Sequence, residues 1–158
     1  MDLTSTLISG SRLPLSLSFT TNGPRLTTSI LSVFLSDLLR ELVEASADFE
    51  GAVLVSLEGL VIAAAWPSED RPEHLHQADD SEIGAVACRA FEQSDRATDL
   101  IARGDLERLI LSGSKGNMII TRAGSDALCV ALLKTEAKLG VASFAAMRIS
   151  QQIENVLG

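Results

Sequence analysis

Residues 49–66 read FEGAVLVSLEGLVIAAAW, and this stretch decides the fold. Two apolar runs, Ala52–Leu57 and Leu60–Trp66, flank the dipeptide Glu58-Gly59. Val, Leu and Ile dominate both runs, which suits a pleated and largely buried surface. A charged residue followed by Gly between two such runs signals a hairpin, because Gly takes the positive-φ position of a tight turn without steric cost.

The pattern upstream has a different period. Leu31, Leu35, Leu38, Leu42 and Ala45 step by four and three, which predicts a helix from about Ile30 to Ala47. Thr27, Thr28 or Ser29 is the expected cap. Residues 1–29 read as an N-terminal extension to a domain spanning 30–158. Within it Leu13, Leu15, Leu17 and Phe19 alternate with Pro14, Ser16, Ser18 and Thr20. That alternation fits an edge strand, and the terminal position fits a weakly ordered tail. Thr21-Asn22-Gly23-Pro24 reads as a turn.

Downstream, the polar loop after Trp66 carries two prolines and an acidic series from Glu69 to Asp80. Asp80 or Ser81 is the expected cap of a second helix reaching about Ile101. Ile83, Ala87, Ala90 and Ala97 mark one stripe of that helix, and Gly84, Cys88 and Phe91 mark another. Small residues on two faces predict close contact on both sides, one with the helix's own sheet and one with a partner. Arg103-Gly104-Asp105 ends the helix. Three short strands follow, at Arg108–Leu111, Met118–Arg122 and Leu128–Leu133, and a last helix covers about Leu139–Leu157, with Val141, Phe144, Ala145, Arg148, Ile149, Ile153 and Val156 in its repeat. The order helix, strand, strand, helix, strand, strand, strand, helix describes an α/β domain, an α+β sandwich with one five-stranded antiparallel sheet and helices on its faces.

Composition narrows the function classes. Lys plus Arg number 13 and Asp plus Glu 21, a net charge of −8. That balance opposes non-specific nucleic-acid binding, which Lys and Arg contacts to phosphate supply. The two cysteines, Cys88 and Cys129, sit far apart in apolar segments and read as buried small hydrophobes. Without a stapled framework or a secretory signal, a reducing cytoplasm is expected. No apolar run approaches the ~18 to 20 residues that span a bilayer, so no membrane insertion is expected.

Catalytic groupings are sparse. His74 and His76 flank Leu75 in the polar loop, but a structural zinc site takes four well-spaced ligands, so no metal is expected. No G-x-S-x-G elbow marks a nucleophile. The Gly113-Ser114-Lys115-Gly116-Asn117 loop lacks phosphate-loop spacing and precedes a strand, so it reads as a hairpin turn. No catalytic residue, cofactor or enzymatic activity is therefore expected.

Phe49–Ser56, the turn Glu58–Ala63, Gly104–Arg122, and Leu139-Gly140 with Arg148 and Gln152-Ile153 together resemble the Roadblock/dynein light chain superfamily. The resemblance covers about residues 31–158, and profilin-like and longin-like domains share related layouts. It implies a non-catalytic homodimer in which the second helix and the middle strand meet their symmetry mates. Here those residues are Ile83, Gly84, Ala87, Cys88, Phe91, Leu109, Ile110 and Leu111. It also implies a Ras-like small GTPase as partner. Bacterial members of the MglB type control the nucleotide state of such a GTPase, and others serve as assembly platforms. The expectation is a regulator, stimulation of GTP hydrolysis included, or a scaffold. The alternative is a small-molecule sensor on a related profilin-like or PAS-like sheet, which needs an enclosed pocket with convergent polar groups.

Overall fold

The computed structural model describes residues 23–67 and 78–158. The alternating segment Leu13–Phe19, the paired His74 and His76, and most of the acidic loop lie outside the described residues. Three helices and five strands follow in the order α1 (Gly23–Glu44), β1 (Phe49–Ser56), β2 (Val61–Ala65), α2 (Asp80–Leu100), β3 (Arg108–Gly113), β4 (Gly116–Arg122), β5 (Ala127–Leu133) and α3 (Leu139–Leu157).

All five strands join one antiparallel sheet in the order β2-β1-β5-β4-β3. The β1–β2 turn closes as the dipeptide Glu58-Gly59 requires. Gly59 holds φ +90°, and its N–H donates to Ser56 O at 2.9 Å. The loop at 113–117 is a tight hairpin in which Gly113 pairs with Gly116, so it joins strand to strand.

Both faces of the sheet are apolar, and each has its own core. On one face Leu35, Leu39 and Leu42 of α1 and Ala146, Ile149 and Ile153 of α3 pack on Leu54, Ile119, Cys129 and Leu133. On the other, Ile83, Ala87 and Phe91 of α2 pack on Val53, Val55, Ile120 and Val130. Central strands covered on both sides lose strand-wise alternation, and every residue of β5 is buried.

The helix boundaries depart from the sequence expectation in two places. α1 starts at Gly23, so Gly23-Pro24 of the expected turn and the expected cap at 27–29 fall within helix. Pro24 sits in the first turn, where its missing N–H leaves no bond unmade. α2 is capped by Asp79, whose Oδ1 accepts from Glu82 N at 2.8 Å, one residue ahead of the expected Asp80 or Ser81. The last helix turns the expected Ile149 and Ile153 inward, but the rest of its inward stripe differs. Ala142, Ala146, Ile149 and Ile153 are buried, whereas Val141 and Phe144, expected in its apolar repeat, are 66% and 72% exposed.

Gly84 lets α2 approach the β1–β2 hairpin. A Cβ there would lie 2.7 Å from Val55 Cγ1 and 3.2 Å from Gly59 O. Helix propensity favours Ala over Gly by about 1 kcal/mol, but overpacking costs about 1–3 kcal/mol. Gly84→Ala is therefore expected to lower the melting temperature by a few degrees in a thermal scan; an unchanged or higher value would show that Val55 yields freely.

Cys129 lies in the middle of the α1/α3 core, and burial pushes its thiol from 9.0 to about 12, offset in part by its bond with Ser150. The folded thiol thus holds its proton more tightly than the unfolded one. Its contribution to stability is full below the unfolded pKa and is lost as pH rises toward the folded one. Urea unfolding at about pH 8 and about pH 10 should show a lower midpoint at the higher pH, and that decrease should shrink in Cys129→Ala.

Candidate interface at the β3 edge

The eight residues expected at an interface divide into two groups. Ile83, Gly84, Ala87, Cys88 and Phe91 are all buried within the single chain. At 100° per residue they span one arc of roughly 140° rather than two opposed faces. The two stripes that the sequence sets apart thus pack on the same side, against the chain's own sheet. Gly84 and Ala87 are small because the helix lies close to its own sheet. Outward, α2 presents Ala85, Val86, Arg89 and Arg96. Cys88 Sγ donates to Ser56 O at 3.1 Å, and burial raises its pKa, with the nearby backbone of Gly59 opposing.

Leu109, Ile110 and Leu111 are placed differently. β3 is the last strand of the sheet, bonded to β4 on one side only. Ile110 stands opposite Ile119 and so shares the α3 side of the sheet. Leu109 and Leu111 stand opposite Ile120 and Met118 and share the α2 side. Leu109 is half-buried, while Ile110 and Leu111 are 39% and 40% exposed. The middle of this edge strand thus has three apolar residues and no charge.

The helix beside it adds to the apolar surface. A cleft of about 460 Å³ runs between α3 and the sheet edge, lined by Arg108, Thr121, Phe144, Met147, Arg148 and Ser150 among others. Its floor is buried hydroxyls, Thr121 Oγ1 hydrogen-bonded to Ser150 Oγ. At its rim the Arg108 guanidinium contacts Met147 Sδ. Phe144 was read from the sequence as part of the apolar repeat of α3 and not as surface, and Met147 was not singled out; the offset of both from the buried stripe was the available signal.

On the opposite face Arg122 of β4 fastens the connection that leads into β3. Its Nε donates to Leu106 O at 2.9 Å, its Nη2 meets Asp95 Oδ2 at 3.2 Å, and its guanidinium lies 5.0 Å from the Phe91 ring centre. Asp95 Oδ1 in turn accepts from Leu106 N at 2.7 Å. The Asp side chain therefore serves both the cation and the chain leaving α2. Among the described residues, no group of three or more His, Cys, Asp or Glu is placed to hold a metal ion, and no helix is long and apolar enough to cross a membrane.

The signature of the Roadblock/LC7 domain matches residues 35–133, from the buried half of α1 to the end of β5. The chain belongs to the Roadblock/LC7 domain family. A Roadblock/LC7 domain from Streptomyces avermitilis superposes with a TM-score of 0.63 at 19% identity, over 75% of this chain and 92% of that one. The gliding protein MglB of Thermus thermophilus superposes with a TM-score of 0.68 at 16% identity, over 80% and 90%. At such identities the likeness is one of fold. By sequence, an uncharacterized protein of Methanocaldococcus jannaschii is 27% identical over 105 residues, 66% of this chain and 81% of its own length.

Within this Roadblock domain the Arg122 network is the best-connected polar feature near the edge. Arg122→Ala removes two charge-assisted bonds and the ring contact at a half-exposed site, for an expected loss of about 1–2 kcal/mol. Arg122→Lys should recover little of it, because an ammonium cannot span both acceptors. Chemical denaturation of the three proteins measures this, and equal midpoints for all would remove Arg122 from any structural account.

Proposed function

We propose that this Roadblock/LC7 chain acts as a non-catalytic homodimer that binds a Ras-like small GTPase, as a regulator of its nucleotide state or as a scaffold. The observation that carries the reading is the uncharged apolar edge strand Leu109-Ile110-Leu111. Such an edge presents a row of unsatisfied N–H and C=O groups and is a template for another strand. A second copy offers the same edge, and a two-fold axis through it supplies the same patch twice. Antiparallel pairing of β3 with its mate turns two sheets into one. It also brings the exposed Phe144 and Met147 of α3 next to the seam. Ile110 and Leu111 then contribute to the interface directly. Ile83, Gly84, Ala87, Cys88 and Phe91 support it from beneath by fixing α2 on the sheet.

The GTPase reading rests on family membership and on the MglB-like fold. A domain of this kind acts on a GTPase by holding one state of it. Regulation requires differential affinity, since a ligand with equal affinity for both states shifts nothing. The sensor alternative needs an enclosed pocket, and the cleft beside β3 opens to solvent along the sheet edge.

Two measurements test the proposal. Light scattering at micromolar concentration should give twice the chain mass of 16.8 kDa. Ile110→Asp should give a folded monomer, because the side chain is exposed in the single chain but would bury a carboxylate in the pair. A monomeric parent protein would end the dimer reading. Binding of a candidate Ras-like GTPase loaded with GDP or a GTP analogue should differ between the two states by about tenfold or more, equivalent to ~1.4 kcal/mol. Equal affinity with unchanged hydrolysis and exchange would leave only the scaffold.

A further inference from the structure

The cleft between α3 and the sheet edge carries chemistry that pairing of β3 does not use. The outer side of α1, where Ile30, Val33 and Phe34 are 61%, 62% and 49% exposed, is an apolar patch. This cleft instead has a polar floor, the buried Thr121 and Ser150 hydroxyls, and cations at its wall. Arg108, Arg122 and Arg148 all line it, in a chain whose net charge is −8. Arg122 is paired with Asp95. Arg108, from β3, and Arg148, from α3, form no ion pair among the described residues.

The carboxylates of the cleft do not neutralise these two cations. Glu107 precedes Arg108 in the chain, yet no ion pair joins them. Glu154 leans on the β4–β5 turn, its Cγ 3.5 Å from where a Cβ on Gly124 would sit. Along the helix axis it stands ~9 Å beyond Arg148 at ~1.5 Å per residue. At the Arg148 end the wall is apolar. Phe144 and Met147 are 72% and 43% exposed, and the Arg108 guanidinium rests against Met147 Sδ. Two cations without counter-charge thus stand beside an exposed ring and a thioether.

We propose that this cleft binds a small phosphate monoester, with its phosphoryl group between Arg108 and Arg148 and its organic part against Phe144 and Met147. A phosphate monoester carries about −1.5 to −2 charge at neutral pH and presents three acceptor oxygens. Two guanidinium forks match that charge and that set of acceptors. A carboxylate brings one charge and leaves one of the two cations unanswered. The volume, about 460 Å³, is that of a small-ligand site. The open side suits a ligand that exchanges freely. The site is complete within one chain, so it stands or falls independently of the dimer and of GTPase binding.

Titration of the full chain with phenyl phosphate at physiological ionic strength, followed by amide NMR shifts, tests this. Saturable shifts should centre on Arg108 and on residues 144–151 of α3. Arg108→Gln and Arg148→Gln should each weaken binding by about tenfold or more. Both side chains are exposed, and a spectrum otherwise unchanged shows that the fold is intact. Arg40→Gln, on the outside of α1, should leave the affinity as it was. Inorganic phosphate should shift the same residues with lower affinity, and phenol should give no saturable shift. Shifts that never saturate, or an affinity that Arg148→Gln leaves unchanged, would overturn the proposal. Phenol binding as tightly as phenyl phosphate would overturn it too, because an apolar gap would then account for the cleft. An equal loss in Arg40→Gln would reduce the effect to net charge, and inorganic phosphate binding as tightly as the ester would remove Phe144 and Met147 from the site.

Discussion

The ladder between β1 and β5 is the constraint on which the rest of the structure depends. Val53 pairs with Val130 and Leu54 with Cys129, and all four are fully buried. Val53 and Val130 point to one face and Leu54 and Cys129 to the other, so neither face of the sheet centre can meet water. The hydrophobic effect then demands cover on both sides. α1 and α3 share one side, and α2 alone takes the other. The single helix covers its side only by lying close, which Gly84 permits. It leaves the far edge, β3, largely uncovered, and the surface proposed for self-association is what remains.

Much of this was legible in the chain. The dipeptide Glu58-Gly59 between two Val-rich runs specified the hairpin, and the sequence of periods specified the order of elements. The stripe Leu31, Leu35, Leu38 and Leu42 correctly marked the inward side of α1, because charges occupied the opposite side in its second half. The stripes of α2 and α3 were harder to read, for a common physical reason. In α2 two stripes offset by one residue are neighbours, 100° apart, and merge into one buried arc. In α3 small Ala142 and Ala146 face the sheet while large Phe144 does not, so side-chain size misled where close approach decided. Arg122 could not have been found by spacing. Its partners Asp95 and Leu106 belong to other elements, and only the tertiary fold brings them to one guanidinium.

The edge strand and the outer side of α1 pose the same physical question. Each exposes apolar groups that a solitary soluble domain ordinarily hides. They differ in what can satisfy them. β3 offers main-chain hydrogen-bonding groups in a row, which calls for another strand. The outer stripe of α1 has its backbone already satisfied within the helix and calls for side chains alone. Two distinct demands, for a further strand and for apolar side chains, thus follow from the two kinds of secondary structure that carry the exposed residues.

The strand order has a kinetic consequence. The hairpin β1–β2 and the meander β3–β4–β5 each join strands adjacent in the chain, whereas β1 and β5 meet across everything between them. Local hairpins close in microseconds, but the central ladder must wait for a long loop to close. Until then β1 and β5 each keep one edge open, and both are rich in Val and Leu. The central ladder of the finished sheet is therefore the last to zip, and during synthesis its first half emerges well before its second. The nascent chain spends that interval with one edge of β1 open, while α1, made before it, and α2, made after it, each cover one of its faces.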